Sequence, residues 1–362
     1  VIDLDGSDGG GQLVRTALSL SALGGEPFRM ERVRGDRPNP GLKRQHLACV
    51  EAVAALTDAD VEGAAVGSET LQFDPVVRPD AAAAPDEVAV DIGTAGSATL
   101  VADTLLPLAT RIDEPLHARV TGGTDVRWSP SADYLRRVKL PLLRAFGLDA
   151  DASVERRGFF PAGGGRLDLR LRPSSLAPIE LGLHDGVRAP VTDPRIAVYA
   201  AAADDVADGD PAGRLADAAV TALGDRDLAG NATATTASVE ADSTGAVLTV
   251  VVADAAVPGS TSGRAEPRAG FVAYGDTTDA PSSLADTAAD AVERWQATDA
   301  PVDANLGDQL VVWLAIAGGA VPIPRVTDHV RTNVELVSAF GYDVAIEARG
   351  DGIPSIVSPT RR

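Results

Sequence analysis

The chain has 362 residues, 45% of them hydrophobic and only 4% aromatic, with 52 acidic against 32 basic side chains for a net charge of −20. That length admits two domains or one large domain with an insertion, the lone Cys49 excludes an internal disulfide and a cysteine zinc site, and the absence of a long apolar run or a leader-like start points to a cytoplasmic protein with no membrane partner. A chain this acidic, rich in Ala and with only Lys43 and Lys139 as lysines, is composed like proteins that work in concentrated salt; on that reading its charge reports the medium rather than a partner, the rival reading being a protein that repels nucleic acid, and global charge does not decide between them.

The first informative segment runs from Asp8 through Gly9, Gly10 and Gly11 to Arg15. Glycines that open a helix expose N–H groups able to cradle a phosphate, and Asp8 has the chemistry to hold a divalent metal, Mg2+ or Mn2+, against it. The spacing fits neither a Walker loop nor a dinucleotide fingerprint, and a plain tight turn is the competing reading. A cationic cluster follows: Arg32, Arg34, Arg37, Lys43, Arg44 and His46, with Gln45 inside it and a Pro38-Asn39-Pro40-Gly41 turn. Only Glu31 and Asp36 oppose it, which favours an anionic ligand over an ordinary mixed-sign helix face. Small residues from Ile92 to Leu100 open another helix. Gly122 to Asp125 and Trp128 to Tyr134 give a fourth turn, and Pro161 to Gly165 a fifth.

From about His184 to Asp276 the texture changes towards Ala, Asp, Thr and Gly. Within it, Arg195–Ala201 and Val247–Val252 read as strands, Leu215–Leu223 as a helix and Pro258–Arg264 as a loop. We therefore expect a small inserted α/β domain over 184–276, with 1–183 and 277–362 forming the large domain. Asp308 and Gln309 then begin a helix, and His329 sits in a polar stretch between apolar Leu310–Ala320 and Val334–Phe340. Neutral imidazole at such a turn is a good nucleophile at pH 7, the plain alternative being a surface histidine near a helix cap.

Three segments repeat one pattern of helix running into strand: Val53–Val61, Arg144–Val154 and Ser338–Ile346. Each follows an earlier helix start, at Gly10, Gly96 and Gly307, where glycine permits a tight entry. Mixed helix-and-strand repeats of roughly fifty residues suggest compact α/β units packed around an axis.

Taken in order, GGGQLVR, RPNPGLKRQH, GSETLQFDP, IGTAGSATL, GGTDVRWSPSADY, GFFPAGGG, VDANLGDQL and DHVRTN resemble the RNA 3′-terminal phosphate cyclase family from end to end. The resemblance implies an α/β (α+β) fold of repeated βαβα-type units of the enolpyruvyl-transferase-like kind, with a small α/β insertion. It implies an ATP-dependent ligase-type enzyme acting on RNA with a 3′-phosphate end. A histidine takes AMP from ATP, passes it to the RNA 3′-phosphate, and the neighbouring 2′-hydroxyl closes a 2′,3′-cyclic phosphate. His329 falls at the nucleophile's place. Asp308, Gln309, Pro130, Asp103, Gly10, Gly11 and Arg15 fall at nucleotide contacts, Asp8 at the metal contact, and Arg34, Arg37, Lys43, Arg44 and Gln45 on the RNA side.

The chain departs from the family pattern in several places. Ser7-Asp8 stands where Gly-Glu is usual, Asp103 where glutamine is, and Asn305 where tyrosine or histidine is frequent; Ser131 is the changed neighbour of Pro130. These changes bear on how the nucleotide is gripped. Rival readings are a catalytically silent RNA-binding or ribosome-assembly scaffold of the same fold, which would lack the histidine, and an enolpyruvyl transferase, which needs none.

Overall fold

The computed structural model describes residues 1–76, 85–181, 183–184, 187–188, 194–204, 209–228, 230, 232–254, 266–276, 278–348 and 353–359. Alternation of apolar and polar residues sets its first sheet. In β2 (Phe28–Glu31), which follows β1 (Ile2–Asp5) and α1 (Gly11–Gly24), Phe28 and Met30 are buried while Arg29 and Glu31 face water. Helix α1 stops where Gly25 turns left-handed (φ 67°) and its N–H bonds back to Ser21. Next come α2 (Arg44–Thr57), β3 (Asp60–Glu62) and β4 (Leu71–Asp74), closing a sheet of order β1-β2-β4-β3. β1 and β2 are parallel and the other pairs antiparallel. Phe28 stacks on Phe73 across it, with ring centroids 5.9 Å apart.

The second sheet uses β5 (Glu87–Asp91), α3 (Ala98–Leu105), β6 (Leu116–Gly122), the continuous helical run of α4 (Ala132–Tyr134), a π turn at Leu135–Lys139 and α5 (Leu140–Ala145), then β7 (Ala150–Arg156) and β8 (Gly165–Leu171). Its order is β5-β6-β8-β7. After β9 (Ile179–Glu180) come a short hairpin of β10 (Leu183–His184) and β11 (Val187–Arg188) and then a separately packed body. That body holds β12 (Pro194–Ala203), α6 (Pro211–Gly224), β13 (Thr233–Val239), β14 (Ala246–Asp254), β15 (Glu266–Gly275) and α7 (Pro281–Gln296). The chain then completes the sheet begun by β9 with α8 (Ala304–Ala317), β16 (Gly319–Pro322), α9 (Asp328–Ala339), β17 (Ala345–Ala348) and β18 (Pro354–Ser358), in the order β9-β16-β18-β17. All three sheets share one strand order, with one parallel pair at the same edge and antiparallel pairs elsewhere. The chain is mixed α/β, built of several small mixed sheets and the helices packed on them.

One hydrophobic core links the three sheets and includes fully buried Trp313, Phe28 and Phe73. A second core lies between the sheet β13-β12-β14-β15 and helices α6 and α7. Its α7 contribution is Leu284, Ala285, Ala288, Ala289, Val292 and Trp295, so this helix packs with the segment of different texture although it lies beyond residue 276. The strands and helix read from that segment are present and one to four residues longer at their ends; the Pro258–Arg264 loop lies outside the described residues. The two bodies meet where Ser131 Oγ and Thr249 Oγ1 lie 2.8 Å apart and where Gly270 leaves room for the Tyr134 ring. A Cβ on Gly270 would lie 2.6 Å from that ring.

Candidate active site

A cavity of about 600 Å³ opens between α1, α3, the turn before α4, β15 and helices α8 and α9. Arg15, Asp103, Pro130, Asp308, Gln309 and His329 all line it. Six residues spread over more than three hundred positions therefore share one wall, brought together because the helices that carry them pack side by side. Two polar links fix α1 against α9: Gln12 Nε2 donates to Thr332 Oγ1 at 3.3 Å, and Thr16 Oγ1 donates to Asn333 Oδ1 at 3.1 Å.

His329 is the second residue of α9, one turn of chain after β16. Thr327 caps this helix: its hydroxyl accepts the Val330 N–H at 3.1 Å and donates to Asp308 Oδ1. The other oxygen of Asp308 lies 3.4 Å from His329 Nδ1. The Asp308 carboxylate is 15% exposed, whereas the imidazole is half exposed. A carboxylate at Nδ1 favours the tautomer with its proton there, which leaves the Nε2 lone pair free to attack. The first N–H groups of α9 have no partner within the helix, so its N-terminus favours an incoming anion beside the imidazole.

The cavity also holds groups whose hydrogen-bonding capacity the fold leaves open. Gln309 Nε2 donates to the Asn305 carbonyl at 3.0 Å, but its buried Oε1 has no partner among the described residues. Such an orphaned acceptor is costly unless a ligand donates to it. Arg15 makes no side-chain hydrogen bond among the described residues, and burial lowers its pKa from the usual guanidinium value. A half-buried cation facing a cavity without a hydrogen-bonded counter-ion is a preformed place for phosphate. Asp103 is already engaged: Lys139 Nζ donates to it at 2.6 Å, both side chains being nearly inaccessible. Burial lowers the Lys139 pKa, and the Asp103 charge opposes that shift. Pro130 is held by its carbonyl, which accepts from Thr99 Oγ1 at 2.7 Å.

Gly10 and Gly11 do not line the cavity. Gly10 is the extended residue before α1, and Gly11 is needed for contact, since a Cβ there would lie 2.0 Å from His46 Nε2. His46 itself is a buried cap rather than an anion ligand: its Nδ1 accepts the Lys43 N–H at 3.0 Å. Burial, followed by the charges of Arg15, Arg34 and Lys43, pushes its pKa down to about 3. The rest of the cationic cluster lies outside the cavity, around the N-terminus of α2. Arg34 donates to the Asn39 and Gly41 carbonyls at 2.9 and 2.8 Å and so shapes its own loop. Lys43 reaches the Pro40 carbonyl at 3.4 Å, and Gln45 Oε1 accepts the Ser97 N–H at 2.8 Å, tying α2 to the start of α3. Arg37 and Arg44 are exposed and form no ion pair among the described residues.

Asp8 is exposed just ahead of α1. Among the described residues no group of three or more His, Cys, Asp or Glu side chains is arranged to hold a metal. Nor is any helix among them long and apolar enough to cross a membrane. Lys139, Tyr134, Tyr274 and Asn333 line the cavity without having been singled out as site residues from the sequence. Only Lys139 carried a usable signal, as one of two lysines in the chain.

Comparison with known proteins identifies the family. The family model described as RNA 3′-terminal phosphate cyclase matches residues 7–346. Among similar curated proteins, the RNA 3′-terminal phosphate cyclase of Halobacterium salinarum is 43% identical over 356 residues, covering 96% of this chain and 97% of that one. Those of Methanococcoides burtonii and Ectopseudomonas mendocina are each 34% identical, covering 97% and 94% of this chain and 98% and 92% of their own lengths. The chain belongs to the RNA 3′-terminal phosphate cyclase family.

Proposed function

We propose that this chain converts an RNA 3′-phosphate end into a 2′,3′-cyclic phosphate, using ATP, through a covalent histidine-AMP and an RNA-adenylate. The observation that carries the reading is the pairing of His329 with a capped, hydrogen-bonded Asp308 on the wall of a cavity that also offers Arg15 and the open acceptor of Gln309. In the first step Nε2 of His329 forms a bond to the α-phosphorus of ATP, and the bond to the bridging oxygen breaks to release diphosphate. An oxygen of the RNA 3′-phosphate then attacks the same phosphorus and the N–P bond breaks. Finally the 2′-oxygen, giving up its proton, attacks the 3′-phosphorus and AMP leaves. Arg15 and the α9 N-terminus neutralise phosphate charge during these transfers, while Arg37 and Arg44 give the RNA phosphates a landing place.

ATP is a substrate here, and the purine has Pro130 and Gln309 within the cavity to pack on and to bond. A divalent cation bound with the nucleotide neutralises charge on the phosphate oxygens. The chain suits a cation carried in by the phosphates rather than a resident one: Asp8 offers a single carboxylate, which is what Mg2+ commonly takes when phosphates supply its other oxygens.

For the architecture we read the three sheets of common order, with their helices, as repeated units of the enolpyruvyl-transferase-like kind packed around an axis. The small domain is inserted between β9 and α8, and we draw its end at α7 rather than at residue 276 because α7 packs on its core. No observation favours the silent-scaffold alternative, since His329 and its carboxylate partner are both in place. The test is direct: an oligoribonucleotide with a labelled 3′-phosphate, incubated with protein, ATP and a divalent ion, should become resistant to phosphatase. Persistent sensitivity with a folded protein contradicts the reading.

A further inference from the structure

Trp128 is 96% exposed, the most solvent-exposed large apolar side chain among the described residues, while Trp295 and Trp313 are 6% and 0% exposed. It also sits at a φ of 64°, the left-handed region that residues without a short polar side chain adopt only under constraint. The loop that imposes this conformation is well anchored. Ser129 Oγ donates to the Val126 carbonyl at 2.7 Å, the Tyr274 hydroxyl donates to the Ser129 carbonyl at 2.6 Å, and Arg127 Nη2 donates to the Tyr274 carbonyl at 3.2 Å. An indole is thus held out into water, on a strained backbone, at the rim of the cavity that contains His329.

We propose that Trp128 is a stacking platform for a nucleobase of the RNA strand close to its 3′ end. A flat π-face beside a guanidinium is the element that single-stranded RNA uses irrespective of sequence, because every base has a face to stack. The position selects RNA rather than the adenine of ATP. Trp128 lines the mouth of the cavity yet has almost no contact with the protein, so its ring cannot enclose a base as the walls deeper in the cavity can. The RNA phosphate must reach His329, which leaves the bases behind it to cross the rim. One aromatic beside charged Arg127 is also unlike the broad apolar patch of a protein–protein contact. The proposal rests on the cyclase reading of the cavity.

Because the other two tryptophans are buried, a ligand that stacks on an exposed indole changes the protein's emission mainly through Trp128. Titration with a short single-stranded oligoribonucleotide ending in a 3′-phosphate should quench this emission, and Trp128→Phe should abolish the quench. In the cyclisation assay Trp128→Ala should raise KM for the oligonucleotide by about tenfold with little change in kcat, while Trp128→Phe, which keeps a ring, stays near wild type. Equal quenching by ATP alone would assign the ring to adenine and overturn the proposal. So would emission that changes with protein concentration alone, which would mark a self-association contact, or an unchanged KM in Trp128→Ala. A wild-type protein that fails to cyclise but is still quenched by RNA would refute the catalytic reading and leave the stacking site standing.

Discussion

At the scale of single residues, the proposed nucleophile, His329, depends on a chain of three side chains. Thr327 holds Asp308 with its hydroxyl, and Asp308 sets the tautomer of His329. Asp308→Asn places an amide where the carboxylate was, and an amide N–H pointing at Nδ1 favours the tautomer whose Nε2 carries the proton. We expect the rate of protein adenylation at pH 7 to fall by about a hundredfold or more, in a protein that unfolds at the same temperature. An unchanged rate would show that Asp308 acts elsewhere, for example on the ribose. The helix start at DHVRTN was legible from its Thr327 cap, but the Asp-Gln pair, read as beginning a helix, lies one turn inside α8, which starts at Ala304 behind the cap Asp303. The Lys139–Asp103 pair was not legible: its members are 36 residues apart on different helical runs, and nothing in the local pattern of either announces the other. Their contact means that Asp103 reaches any nucleotide as an already neutralised carboxylate, a different group from the amide it replaces.

At the scale of elements, α1 and α2 meet through Gly11 and His46, and that contact makes the fold sensitive to acid. In the unfolded chain His46 titrates near 6.5, but in the native protein burial holds its pKa near 3. Between those values the unfolded chain binds a proton that the folded one refuses, so stability is complete above pH 6.5 and is lost as pH falls towards 3. The shift corresponds to about 5 kcal/mol at most. Urea unfolding followed across this window should show the decline, and His46→Gln should flatten it even if it lowers stability at pH 7. A decline of the same slope in the variant would assign the acid sensitivity to other groups. Here the sequence misled in an instructive way: a histidine among arginines read as part of an anion site, because local charge carries no information about burial. The passages from helix to strand in Val53–Val61, Arg144–Val154 and Ser338–Ile346 were readable, since apolar periods are local, whereas Gly307, read as a helix entry, lies inside α8. The affiliation of α7 was not readable, because an apolar face such as Leu284, Ala288, Val292 and Trp295 does not announce which of two cores it will cover.

At the scale of the whole molecule, the net charge of −20 bears on stability. Repulsion among carboxylates opposes the compact state, and salt shortens its range from roughly 10 Å at 0.1 M to about 3 Å at 1 M. The midpoint of urea unfolding should therefore rise with KCl over that range; a falling midpoint would mean that surface ion pairs such as Arg172 with Asp149 and Asp151 outweigh the repulsion. Against this acidic background Arg37 and Arg44, exposed and without an ion pair among the described residues, are the proposed landing place for RNA phosphates. The central claim is that His329 carries AMP. Protein incubated with α-labelled ATP and a divalent ion in concentrated salt, then resolved under denaturing conditions, should retain label that acid removes and base does not, as a phosphoramidate would. His329→Ala should carry none. Equal labelling of His329→Ala, or label stable to acid, would contradict the account and place the nucleotide on another residue.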